Sequence, residues 1–249
     1  MCTLTWTHRV EGGASSYRLW FNRDELRTRG PEVPPREAEA GSGVRYLSPA
    51  DSDAGGTWIA VNEHGVTVAL LNGYRETRGP TPPEWRSRGL LVRDLADLTS
   101  AEAAWGRLAP RDLAPYRPSV VAVVDPSGRA LLARWDGLDL AIDPVAERQL
   151  PIVSSSYEQD EVQRSRRALY DDLVGRSESP PPPERLERYQ SHVGVDGPSA
   201  FTPSMSRPDA ATRSQCLVEV TPSSVSIAYA AGAPHETQRE PPVTLDRAS

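Results

Sequence analysis

The order of hydrophobic patterns along this chain of 249 residues predicts an α+β fold. Alternating runs rich in aromatic and β-branched residues stand at both ends of the chain and are typical of antiparallel strands. Runs with helical periodicity lie between them. A hydrophobic content of 38% is sufficient for a core, so we expect a single domain over residues 1–249 that folds on its own.

The first two alternating runs predict a hairpin. CTLTWTH (2–8) and SYRLWFN (16–22) flank a glycine pair at 12–13, which is typical of a two-residue turn. Such a turn fixes the pairing of the two strands and places Cys2 directly opposite Arg23.

The segment NRDE (22–25) therefore lies beside the first cysteine. Asn22 and Asp24 flank Arg23 in this segment, so the thiol of Cys2 is predicted to have a cation and a carboxylate as neighbours. A cation favours the thiolate form, and a carboxylate can hold an α-ammonium group. The plainer alternatives are a thiol that merely follows Met1 and an Arg23–Asp24 ion pair that closes the hairpin.

The remaining elements are predicted in chain order. Segments 26–52 and 73–85 are expected to be loops around the first two hairpins, and the polar tail from Pro234 is left unassigned. The proline-rich stretch 177–183 is expected to be an exposed loop, and the charged helix is expected to face solvent. The predicted elements are a second hairpin (56–62 and 66–72), helices at 86–98 and 160–175 (the charged one), a strand meander (119–125, 129–136 and 138–144) and a third hairpin (214–220 and 224–230).

Charge and composition exclude several classes of function. A net charge of −6 with scattered arginines makes nucleic acid an unexpected partner. All 28 basic residues are arginine, so no lysine chemistry is available. We expect no membrane span and no signal peptide, and hence a cytoplasmic protein. The oligomeric state is left open.

The two cysteines and four histidines show no metal-binding pattern. Cys2 and Cys216 are expected to be free thiols, and Cys216 alternates into a strand interior and is predicted to lie in the core. The histidines are scattered along the chain. We therefore expect no metal and no nucleotide.

Four blocks of sequence in a fixed order carry a resemblance. MCTLTW, LWFNRDE, GGTWIAVNEHG continuing to LLN, and SRGLLV closely resemble the bacterial NRDE-motif family, whose eukaryotic relatives are the transport and Golgi organisation proteins. The resemblance is dense over residues 1–95, thin through the middle and weak again at 206–220. More remotely, the chain is similar to N-terminal-nucleophile hydrolases that begin Met-Cys, the penicillin V acylase and bile salt hydrolase group. That group implies a four-layer αββα sandwich.

The resemblance to these hydrolases implies roles for residues near the amino terminus. Removal of Met1 would free the α-amine of Cys2, which would then supply both the nucleophile and, with a pKa of about 7.7–8.0, the general base. Asn22 and Asp24 match the group's Arg-Asn-x-Asp stretch. A phenylalanine takes the place of the arginine in that stretch, and Arg23 is left as its substitute.

The resemblance also implies site residues further along the chain. Asn72 aligns with an asparagine that donates to the oxyanion, although it could equally cap its strand. A second asparagine of the group has no counterpart, and Ser154 or Ser155 stands there instead. The late arginine of the group corresponds to Arg207 or Arg213.

Two functions from different classes follow. The first is hydrolysis of a small non-peptide amide by Cys2, with no cofactor. The second is a binding or trafficking role for haem or lipid, because the eukaryotic relatives are associated with haem handling and with lipid or Golgi homeostasis. In that case Cys2 would be a ligand or a vestige.

Overall fold

Two antiparallel sheets form the centre of the molecule. A computed structural model describes residues 2–74, 78–176 and 180–248. The first sheet has the order β10 (Ile152–Ser154), β1 (Cys2–Glu11), β2 (Ala14–Leu26), β11 (Ala210–Val220), β12 (Ser224–Ala230) and β13 (Val243–Asp246). The second sheet runs in chain order through β3 (Glu32–Glu39), β4 (Arg45–Asp51), β5 (Ile59–Asn62), β6 (Thr67–Asn72), β7 (Ser119–Val124), β8 (Ala130–Trp135) and β9 (Leu140–Pro144).

Helices cover the outer face of each sheet. Helices α1 (Gly89–Asp94) and α2 (Ala103–Leu108) pack on the second sheet, and their apolar residues share a cluster with strands β6 and β7. Helices α3 (Gln159–Leu173) and α4 (Pro183–Gln190) pack on the first sheet. The predicted four-layer αββα arrangement is confirmed. No helix among the described residues is both long and apolar enough to cross a membrane.

Strand β1 shows how alternation divides the layers. Leu4 and Trp6 are buried in the core that also contains apolar residues of the second sheet. Thr5 points the other way, toward the helices, and accepts a hydrogen bond of 2.8 Å from Gln190 of α4. Leu and Trp side chains on one face and Thr side chains on the other give the run CTLTWTH its alternating pattern, which is typical of a strand.

The predicted register of the first hairpin is confirmed. Gly12 and Gly13 form the turn with φ angles of 59° and 82°, a conformation that costs glycine nothing. Strands β1 and β2 then pair residue by residue, and Cys2 lies opposite Arg23. The second and third hairpins and the meander also form at the predicted places, within four residues at each end.

Two segments predicted as loops or left unassigned are strands. The prediction of a loop over 26–52 is wrong, because β3 and β4 lie within it and form an edge of the second sheet. Pro34 and Pro35 argued against a strand at β3, since prolines are unusual in strands. They are tolerated here because the pairing of β3 with β4 is irregular between Val33 and Arg36 and because β3 is an edge strand. Strand β13 lies in the tail left unassigned.

The helices also depart from expectation. The helix predicted over 86–98 is regular only as α1, and α2 and α4 were not predicted. The proline-rich stretch 177–183 lies outside the described residues at 177–179, and its last residue, Pro183, begins α4. Proline suits the first turn of a helix because its missing N–H has no partner there.

Candidate active site

A cavity of about 610 Å³ opens where strands of both sheets begin or end. The start of β1, the end of β2, the ends of β4 and β6, and the residues leading into α1 all contribute to its wall. Of the residues that the sequence singles out, four line this cavity: Cys2, Arg23, Asp24 and Asn72. The structure therefore brings together Cys2, the adjacent residues Arg23 and Asp24, and Asn72.

Cys2 lies between two strands. It pairs with Arg23 of β2 on one side and with Ser154 of β10 on the other, and it is only 5% exposed. Burial raises the pKa of its thiol to about 11, and the charge of Asp24 adds to this. The amino-terminal ammonium, the Asp24 backbone N–H and the Arg23 cation lower the pKa but do not outweigh burial. At neutral pH the thiol is therefore protonated.

The guanidinium of Arg23 is fixed by acidic residues. It donates to Glu32, to Glu25 at 3.3 Å and to Asp51 at 3.5 Å. It also lies over the ring of Trp58, 4.4 Å from the ring centre. Because several carboxylates already neutralise this cation, Arg23 lowers the pKa of the neighbouring thiol only slightly.

Asp24 connects the cavity to the helical layer. Its carboxylate accepts bonds from both terminal nitrogens of Arg166, at 3.2 and 3.3 Å, and from the Thr212 hydroxyl at 2.6 Å. Arg166 lies on α3 and is 0% exposed, which corrects the prediction that this charged helix simply faces solvent. A buried arginine requires a buried acid, and the partner here is 142 residues away in the chain.

Asn72 ends β6, and its side chain is held by a tyrosine. Its Nδ2 donates to the hydroxyl of Tyr74 at 3.2 Å. Burial raises the pKa of Tyr74, as does the nearby Cys2 thiol, so the phenol is neutral over the physiological range. The amide of Asn72 is thus oriented within the cavity that also contains the thiol.

The other predicted site residues are not among those lining this cavity. Asn22 faces the helical layer, where its amide donates to backbone oxygens of Gln190 and Pro203. Ser154 is buried beside Cys2, and its hydroxyl has no hydrogen-bond partner among the described residues. Its neighbour Ser155 donates to the carbonyl of Tyr157 at 2.6 Å.

Neither late arginine reaches the thiol. Arg207 pairs with Asp209 at 2.8 Å and lies over the ring of Tyr157. Arg213 lines a separate cavity of about 530 Å³ together with His235. Cys216 is fully buried and, like Cys2, is a free thiol, as predicted. Among the described residues, no cluster of three or more His, Cys, Asp or Glu side chains is arranged to hold a metal.

Sequence reasoning missed Arg166, Tyr74 and Arg88. Arg88 comes just before α1 and also lines the cavity. The signal for Arg88 was present in the block SRGLLV, where an arginine precedes the glycine that starts a helix. Arg166 carried no such signal, because nothing local distinguishes it from the exposed arginines of α3.

Two sheets packed face to face between helices, with the amino-terminal strand inside the first sheet, define the fold of the N-terminal-nucleophile hydrolases. A variant of conjugated bile acid hydrolase from Clostridium perfringens has a similar structure, with a TM-score of 0.55, 12% identity and coverage of 98% of this chain and 92% of that one. An N-acylethanolamine-hydrolyzing acid amidase orthologue from Caenorhabditis elegans has a TM-score of 0.55, 11% identity and coverage of 87% and 92%. These likenesses show the fold alone.

Within that fold, residues 1–112 match the model of the family described as Transport and Golgi organisation 2. The resemblance seen in the four sequence blocks is therefore confirmed over this part of the chain. Penicillin V acylase from Agrobacterium tumefaciens aligns with a TM-score of 0.48 and 14% identity, over 97% of this chain and 98% of its own. No curated protein matches the chain.

Proposed function

We propose that this protein hydrolyses a small non-peptide amide, with Cys2 as the nucleophile once Met1 has been removed. The observation that carries the proposal is the shared cavity of Cys2, Asp24 and Asn72, with Arg23 fixed beside the thiol. Met1 lies outside the described residues, so its removal is part of the proposal. The free thiols are compatible with the reducing, cytoplasmic compartment that we expect.

A thiol with a raised pKa needs a base at the moment of attack. The described residues that line the cavity include no histidine, and the carboxylates among them, Asp24, Glu25 and Asp51, are all ion-paired with arginines. An α-amine on Cys2 itself has a pKa of about 7.7–8.0 and lies within reach of the sulfur by covalent geometry. The amine is therefore the base that fits the site.

The reaction then proceeds in two steps. The α-amine takes the proton from the Cys2 sulfur while the sulfur bonds to the amide carbon, and the carbonyl oxygen becomes an oxyanion. The C–N bond breaks as the ammonium returns its proton to the leaving amine, which leaves a thioester on Cys2. Water, deprotonated by the same amine, attacks the thioester, and the carboxylic acid leaves as the thiol re-forms.

Asn72 is the donor available for the oxyanion. Its Nδ2 is held by Tyr74, and a well-aimed amide donor contributes about 3 kcal/mol to such a step. Asp24 is fixed by Arg166 and Thr212 and directs its backbone N–H to the sulfur. We assign Asp24 and Arg23 to positioning of Cys2 rather than to proton transfer, because their charges are already paired.

Binding of haem or lipid without chemistry is the second candidate. It is favoured by the raised pKa and low exposure of the Cys2 thiol, because a protonated and buried thiol is a weak nucleophile. The family match over residues 1–112 supports it by name only. A protonated thiol is a poor iron ligand, so haem binding would depend on other groups.

Intact-mass analysis and active-site labelling test the two functions. The purified protein is expected to lack Met1 and to form an adduct at Cys2 with an electrophilic acyl probe, mapped by peptide mass spectrometry. Cys2→Ser is expected to abolish turnover with its fold intact, whereas Cys216→Ala serves as the control that keeps activity. Retention of Met1 in folded protein, or labelling elsewhere, contradicts the hydrolase. A Soret band on titration with haem supports the second candidate.

A further inference from the structure

Three arginines in the wall of the Cys2 cavity form no ion pair with any carboxylate among the described residues. They are Arg86, Arg88 and Arg117. The other two arginines that line the cavity, Arg23 and Arg29, are paired with carboxylates. Five arginines thus stand against three lining carboxylates, Asp24, Glu25 and Asp51, and the wall carries an excess of positive charge.

Arg88 is the deepest of these cations. Its guanidinium is half-buried and donates to the backbone oxygens of Pro118 at 2.9 Å and Gly73 at 3.5 Å. Burial lowers the pKa of Arg88, and the positive charge of Arg117 lowers it further, while Tyr74, Glu25 and Cys2 act in the opposite direction. Backbone oxygens satisfy the N–H groups of a guanidinium but do not neutralise its charge, so a desolvated cation faces the cavity.

The backbone holds Arg88 in this place. Gly89 packs against Gly56 so closely that a Cβ on Gly56 would lie 2.6 Å from a backbone atom of Gly89. The N–H of Thr57 also donates to the oxygen of Gly89 at 3.2 Å. The start of α1 is thus fixed to the cavity wall, and the backbone of Arg88 is fixed with it, while the bonds to Pro118 and Gly73 hold its guanidinium.

Aromatic rings accompany the two outer cations. Arg117 lies over Trp85, with 5.4 Å between guanidinium and ring centre, and Arg86 lies over Tyr116 at 5.3 Å. Stacking on a ring orients a guanidinium and leaves its N–H edge free to donate. A pair of oriented guanidinium groups at the rim with a third below them is suited to an oxyanion such as a carboxylate or phosphate.

We propose that Arg88, together with Arg86 and Arg117, binds an anionic group on the molecule that Cys2 attacks. The substrate class is then an amide that carries a carboxylate or phosphate at a distance from the scissile bond. The assignment of the anion to a substrate rests on the proposed function, whereas the anion site itself requires only that the cavity be open to small molecules.

A pair of alkylating reagents that differ by one charge tests the anion site directly. Iodoacetate and iodoacetamide react with the same sulfur, and their rate ratio at Cys2 reports the local charge. The ratio is expected to exceed that of N-acetylcysteine by about tenfold, the size of one charge-assisted contact. Arg88→Gln is expected to reduce the ratio toward the free-thiol value.

Two further variants keep this test decisive. Arg117→Gln removes an exposed cation of the same cluster and is expected to act in the same direction if Arg88→Gln does not fold. Arg36→Gln removes the same charge from the exposed face of β3 and is expected to leave the ratio unchanged. Equal ratios in the wild-type protein and the cluster variants, or a Cys2 that reacts with neither reagent, overturn the proposal.

Turnover assays separate this proposal from the hydrolase itself. In the first pair, N-octanoylglycine carries its charge on the leaving amine, and N-octanoylglycinamide is its neutral counterpart. In the second pair, suberic acid monoanilide carries its charge on the acyl part, and its methyl ester is the neutral counterpart. A preference for an anionic member that Arg88→Gln abolishes supports both proposals and identifies the side that bears the charge. Turnover without charge preference retains the hydrolase and removes the anion site. A charge-dependent alkylation ratio without turnover retains the anion site and removes the hydrolase.

Discussion

Replacement of Arg166 by methionine is expected to be among the most destabilising single changes near the site. Methionine is unbranched and flexible like arginine but carries no charge. The substitution removes both bonds to Asp24 and the bond of 3.0 Å to the oxygen of Ala200. Asp24 keeps its bond to Thr212, and its carboxylate stays buried without the Arg166 cation.

The size of the effect can be worked out from these contacts. Removal of one partner from a buried ion pair costs about 3–5 kcal/mol, and loss of the donor to the buried Ala200 carbonyl costs about 1 kcal/mol more. We expect Arg166→Met to lower the free energy of unfolding by about 5 kcal/mol, or roughly 15 °C in melting temperature for a chain of this length. Arg166→Lys keeps the charge but loses the second bond, so a smaller loss of about 1–2 kcal/mol is expected.

Urea denaturation followed by tryptophan fluorescence measures this effect. The double variant Arg166→Met with Asp24→Asn removes both charges together and is expected to be more stable than Arg166→Met alone, because the buried charge disappears. A loss below about 1 kcal/mol for Arg166→Met, or additive losses in the double variant, refutes the view that α3 holds the end of β2 through this ion pair.

Three further results are expected. In the chain that retains Met1, burial raises the pKa of the Cys2 thiol to about 11, so the stability gained from the neutral thiol is present below the unfolded pKa and is lost as the pH rises through about 11. Alkylation of that form by iodoacetamide, followed by peptide mass spectrometry, should accelerate over the same range rather than level off near pH 8. Gly89→Ala brings a Cβ within 2.9 Å of the Thr57 backbone and should lower the free energy of unfolding in urea by about 1–3 kcal/mol. Gly106→Ala, which has open space around it in α2, should be neutral or stabilise by up to about 1 kcal/mol. Equal stability changes in the two variants contradict close packing of Gly89 against Thr57. Tyr74→Phe removes the acceptor that orients the Asn72 amide and should lower kcat about tenfold to a hundredfold with KM unchanged. An unchanged kcat contradicts a role for Tyr74 in positioning Asn72.

The sequence is most informative where structure is local. The register of the first hairpin follows from a glycine pair and a period of two, and both are visible in a dozen residues. The strand meander follows from the same alternation. The cavity wall at Cys2 and Arg23 could therefore be predicted, because the two residues are neighbours across one hairpin.

The remainder of the site depends on distant parts of the chain. Arg166 is indistinguishable from its exposed neighbours until α3 packs on the first sheet and Asp24 becomes its partner. Arg88 becomes a cavity residue only because Gly89 contacts Gly56. β3 escaped prediction for a different reason, since two prolines in one strand are acceptable only at an irregular edge.

The position of Cys2 rests on a turn at the far end of β1. Side chains alternate between faces, so a slip of one residue in the β1–β2 register would turn Cys2 from the cavity toward the helical layer. The pair Gly12 and Gly13 prevents this slip, since a two-residue turn with positive φ at both positions admits one pairing. Because β10 pairs with the same strand at Cys2 and Ser154, Cys2 is held between two strands. The proposed N-terminal nucleophile would require such pre-organisation, whereas a passive binding pocket would not.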